Sequence, residues 1–115
     1  MARYTCSYRV KVPVGQLQPL LIEILEDCYF EVTYQASDYM MAREIPGKTA
    51  FAKLVTVEVL IDNTTATNDE VQVNLVVKND ELPLQIDNHC RQLCDLLQRA
   101  IAENNQWKLI ENVAS

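Results

Sequence analysis

A chain of 115 residues, 49% hydrophobic and 23% charged, is long enough to bury one core without metal or disulfide support and too short for two ordinary domains. Two glycines and four prolines leave little material for flexible linkers, which argues against disorder away from the ends. The net charge of -6, from 16 acidic and 10 basic side chains, repels phosphate backbones and anionic surfaces on average, and the basic residues stand singly, so no nucleic-acid footprint is expected.

Tyr4 to Val12 alternates strictly, with Tyr4, Cys6, Tyr8, Val10 and Val12 against Thr5, Ser7, Arg9 and Lys11, which predicts a half-buried strand. Pro13 and Gly15 break it. Leu17, Leu20, Leu21, Ile24, Leu25 and Cys28 then recur at the spacing of one helix face, with Glu23, Glu26 and Asp27 opposite. Pro19 fits only in an opening turn, which places the helix start between Gly15 and Gln18.

Phe30, Val32 and Tyr34 alternate with polar residues, and Ser37-Asp38 leads into Tyr39 to Ile45, a predicted hairpin. Pro46-Gly47 is the next turn. Ala50 to Ile61 reads as a long central strand with Phe51, Val55, Val57, Val59 and Ile61 in phase. After a polar loop, Val71, Val73, Leu75 and Val77 predict its antiparallel partner. Asn79 or Asp80 is the expected cap of a second helix whose buried stripe runs Leu82, Ile86, Cys90, Leu93, Cys94, Leu97, Ile101. Asn104-Asn105 suits a left-handed ending, and Trp107 to Val113 forms a short last strand or a packed tail.

The expectation is a single α+β domain over residues 1–115, with an antiparallel sheet of about five strands and two helices packed on one face. This β-α-β-β-β-β-α order resembles the helix-grip arrangement of lipid- and hormone-binding proteins, which implies either a ligand cavity or an interaction surface. Tyr39 to Asp62 and Asp87 to Ile110 resemble stretches of a small, uncharacterised cyanobacterial protein family, which implies no activity. No apolar run reaches the roughly 20 residues of a membrane span, and the N-terminus alternates where a signal peptide would be continuously apolar, so a cytoplasmic location is expected.

Gly47-Lys48-Thr49 lacks the earlier glycine and following helix of a phosphate loop and reads as a turn. Cys90 and Cys94 stand one helical turn apart, where two thiolates could hold a metal, yet all four cysteines fall on apolar faces and are expected to pack as free thiols. His89 diverges from Cys90 on a helix, so no catalytic set is predicted, and no cofactor. Glu23, Glu26, Asp27 and Glu31 form an acidic face that could attract a basic partner.

Two functional readings follow. The first is a non-enzymatic protein-interaction module, an assembly factor or small regulatory subunit, docking another protein or a second copy through Glu23, Glu26 and Asp27 or through Trp107, Leu109 and Ile110. The alternative is a small-molecule-binding protein whose apolar cavity, between the sheet and the last helix, is lined by Tyr8, Tyr34, Met41 and Val57.

Overall fold

The alternation of the first segment produces strand β1 (Ala2–Lys11), which lies inside the sheet, paired on both sides. The computed structural model describes every residue except 48, 49, 68, 83–87, 105, 106 and 115, and every described side chain except those of Val14 and residues 108–114. Helix α1 (Val14–Asp27) follows, then the hairpin of β2 (Phe30–Gln35) and β3 (Tyr39–Glu44), a short 3-10 turn at Phe51–Lys53, β4 (Thr56–Asp62) and β5 (Glu70–Asn79). Helix α2 (His89–Glu103) and strand β6 (Lys108–Ala114) complete the order. The chain is therefore α+β, as its periodicities predict.

The sheet runs β2-β3-β4-β5-β1-β6, antiparallel throughout. β1 sits beside β5, and α1 connects it to the far edge of the sheet. The last segment adds β6 as a sixth strand along β1.

Register decides the two faces. Cys6, Leu75, Val59 and Met40 share one row, and Tyr4, Val77, Val57, Ala42 and Val32 another. These rows face the helices, and most of their residues are buried with Leu17, Leu21, Ile24, Leu25, Cys90, Cys94, Leu97 and Ile101 in one cluster. Each such aliphatic side chain removed from water contributes about 1.5–3 kcal/mol. The opposite face carries Ser7, Asn74, Glu58, Lys78, Leu60 and Tyr39; Ser7 donates to Asn74 at 2.7 Å and Lys78 pairs with Glu58.

Several boundaries differ from expectation. α1 begins at Val14, so Pro19 lies in the second turn. Its missing N–H would have bonded the carbonyl of Gly15, which lines an open groove with Gln18 and Pro19 where water can replace it. The Ala50–Ile61 run is not one strand: Phe51–Lys53 turns, Phe51 is 75% exposed, and the Arg43 guanidinium lies 5.6 Å from its ring centre.

α2 is capped by Asn88, not by Asn79 or Asp80. Asn79 ends β5, and Leu82 is exposed instead of starting the helix stripe. The Asn88 side chain takes the Arg91 N–H and the Glu81 carboxylate takes those of His89 and Cys90, which fixes the helix start at His89. Ile86 lies outside the described residues. Asn104 ends α2 in an extended conformation, not a left-handed one. Lys48 and Thr49 also lie outside the described residues, as does Asn105.

Candidate functional site

Edge strand β2 and the end of α1 combine exposed acidic residues with exposed apolar surface at Tyr29, Tyr34 and Ile45. Between Val12 and Ala42 the sequence contains five acidic residues and no basic one. Glu23, Glu26, Asp27 and Glu31 are all exposed. Helix α1 ends at Cys28, whose N–H donates to the carbonyls of Ile24 and Leu25. Tyr29 follows in the left-handed region, φ 66°.

That conformation usually falls to glycine, because a Cβ crowds the carbonyl there. The strain is held locally. Tyr29 donates its N–H to Glu26 at 3.1 Å, and its carbonyl accepts the N–H of Ile45 at 2.9 Å. The ring is 73% exposed. Beside it Glu26, Phe30, Glu31, Val32 and Ile45 line an open groove of about 340 Å³. β2 ends the sheet, so one side of its backbone faces outward with no strand beside it among the described residues.

A second constellation surrounds the start of α2. Asn88 accepts the N–H of Arg91 at 2.9 Å, while the Glu81 carboxylate accepts those of His89 and Cys90 at 3.1 and 2.8 Å. The first three helical donors, orphans in any helix, are thus satisfied. Asn79 donates to Glu81 at 2.6 Å and receives the N–H of Glu81 at 3.0 Å. Burial opposes the charge on Glu81, but the bonds from Asn79 and from the Cys90 and His89 amides outweigh it and hold the carboxyl below its ordinary value. His89 Nε2 reaches Glu44, which also accepts the N–H of Val55 at 3.0 Å. Every group here has a structural partner, and the cluster ties β3, β5 and α2 together.

The third is a pair of thiols. Cys6 of β1 and Cys94 of α2 place their sulfurs 3.9 Å apart. Gln98 donates to Cys6 at 2.7 Å and lies 3.5 Å from Cys94. The hydrogen bond from Cys94, opposed by burial and reinforced by Gln98, holds the Cys6 thiol below the ordinary range, whereas the same bond and burial push Cys94 up. Burial, with Glu81 and Glu44 near, pushes Cys90 up to about 12. The Tyr8 hydroxyl, close to Cys6, is buried with no well-formed hydrogen bond among the described residues.

The four residues expected to line one cavity do not meet. Tyr8 and Val57 are buried on the helix-facing side, and Met41 lies on the opposite side, across from Glu58. A β-bulge between Val32 and Tyr34 sets Tyr34 opposite Met41, so Tyr34 also turns outward and is 56% exposed. Its ring packs 5.9 Å from that of Tyr39, tilted by 58°. Trp107, expected on an interaction surface, is instead 8% exposed and donates its indole N–H to the Ile101 carbonyl at 3.1 Å. It closes the end of the core within its own chain. Leu109 and Ile110 lie on β6, with side chains outside those described.

Cys90 and Cys94 both face the core, but the closest sulfur to Cys94 belongs to Cys6, and no group of three or more metal-ligating side chains converges among the described residues. No helix among them is long and apolar enough to cross a membrane. Sequence reasoning missed Tyr29 and Ile45, which carry no motif. Cys6 and Cys94 were legible as buried, and their meeting was not. Compared with protein families, curated proteins and solved structures, the chain finds no match.

Proposed function

We propose that this chain is a non-enzymatic protein-interaction module, of the kind that serves as an assembly factor or small regulatory subunit, and that it takes an extended basic segment of a partner protein along β2. The observation that carries this reading is Tyr29. A bulky residue in the left-handed region costs on the order of 1 kcal/mol, and here it holds an aromatic ring out in water beside a free sheet edge. Strain of this kind, without a packing return, points to use by a partner.

The surroundings specify the partner's chemistry. An added strand would satisfy the outward donors and acceptors of β2, and its alternate side chains would enter the groove of Phe30, Val32 and Ile45. Lysine or arginine on that strand would meet Glu26 and Glu31, with Glu23 and Asp27 adding long-range attraction. The nearest basic side chain, Arg43, stands opposite Glu31 in register and is turned over Phe51.

Amide chemical shifts recorded during titration with extended peptides of alternating lysine and valine test this. Shifts concentrated at Glu26 to Gln35 and Ile45, weakened by salt and lost in the Glu26→Lys/Glu31→Lys variant, are the expected result. Shifts centred instead on Tyr39, Leu60 and Asn74 of the outer face, or equal binding of peptides with glutamate in place of lysine, would overturn it.

A further inference from the structure

We propose that Cys6 and Cys94 form a peroxide-reactive dithiol that closes reversibly into a disulfide joining β1 to α2. The two sulfurs lie 3.9 Å apart although 88 positions separate the residues in sequence. A disulfide needs about 2.05 Å, and both cysteines already belong to one buried cluster between β1 and α2. Buried apolar packing alone does not call for a polar group between two thiols, yet the Gln98 amide is directed at both sulfurs.

Access is present as well. A half-open pocket of about 340 Å³ reaches both cysteines and is otherwise lined by Tyr4, Thr5, Arg91, Asp95 and Gln98. Its size admits a molecule as small as hydrogen peroxide. The Arg91 guanidinium, 5.7 Å from the centre of the Tyr4 ring, is paired with Asp95 at 3.6 Å, so the mouth carries both charges. The hydrogen bonds at Cys6 favour its thiolate, the nucleophilic form.

The chemistry balances with a hydroperoxide as the oxidant. The Cys6 thiolate attacks one peroxide oxygen, the O–O bond breaks, and a sulfenic acid forms while the leaving oxygen takes a proton from solvent. Cys94 then loses its proton and attacks the Cys6 sulfur. The S–O bond breaks, the S–S bond forms, and hydroxide leaves as water after protonation. Two thiols are oxidised by two electrons and one peroxide is reduced to water, or to an alcohol and water.

The test is intact-mass measurement of the folded protein after brief exposure to hydrogen peroxide, with remaining thiols alkylated under denaturing conditions and peptides mapped. The expected product has lost two hydrogens, accepts alkyl groups only at Cys28 and Cys90, and yields a Cys6–Cys94 linked peptide that dithiothreitol releases. Cys94→Ser should stop at a Cys6 sulfenic acid trapped by dimedone, and Cys28→Ser should leave the linkage unchanged. Four alkylated thiols after treatment, a Cys90–Cys94 linkage, or oxidation that requires prior unfolding would each overturn the proposal. Peptide mapping of the unsubstituted protein decides the matter even if a serine variant fails to fold.

Discussion

His89 Nε2 at the first residue of α2 lies 2.8 and 2.9 Å from the two carboxylate oxygens of Glu44 at the end of β3. The pair is mostly buried and spans 45 positions of sequence. Because Glu44 also accepts the N–H of fully buried Val55, removing the carboxylate strands two donors at once. Glu44→Ala should destabilise the fold by about 2–4 kcal/mol, and His89→Ala by less. A double-mutant cycle in urea unfolding should give a coupling energy of at least ~0.5 kcal/mol; additive effects would show that the two side chains do not support one another.

Acid should weaken the other anchor of α2. The Glu81 carboxyl is held below its unfolded value, so its contribution is complete above the ordinary glutamate range near pH 4.3 and is lost as pH falls through the folded value. Glu81→Gln removes an oxygen that accepts a helix N–H and should cost roughly 1–3 kcal/mol at neutral pH. Thermal melts between pH 7 and pH 3 should show the gap between the two proteins narrowing on the acid side. A constant gap would mean that the charge on Glu81 adds nothing.

Trp107 provides a test of core against surface. Its burial and its bond to the Ile101 carbonyl predict that Trp107→Ala lowers stability by about 3–5 kcal/mol. Denaturant unfolding measures this directly. A change within ~0.5 kcal/mol would place the indole outside the core.

Tyr29→Gly separates stability from binding. Glycine occupies the left-handed region without Cβ strain, so the substitution should stabilise the isolated protein by about 0.5–1 kcal/mol. The same variant should bind a basic extended peptide several-fold more weakly. Loss of stability would show that the ring, despite its exposure, supports the packing at the end of α1.

The split between Met40 and Met41, and between Tyr8 and Tyr34, marks how far local pattern reaches. Alternation identified the strands, and the stripe of Cys90, Cys94, Leu97 and Ile101 identified the buried face of α2, because which side of an element avoids water is written in its own neighbours. The α+β class followed from those patterns in order. The bulge that turns Tyr34 outward leaves no mark in β2 alone, since it depends on two residues there opposing one on β3.

The long-range meetings were equally hidden. Cys6 reaches Cys94, and Glu44 reaches His89, only because β1 lies beside β5 and α2 crosses the inner face above them. The sequence by itself determined the order and kind of the main elements and the buried faces of β1, α1, β5 and α2, though not the exposure of Phe51 and Leu82 or the burial of Trp107. Only the tertiary structure decided which buried residues touch, because strand order and register are set by the joint packing of distant segments, and no single segment encodes its partner.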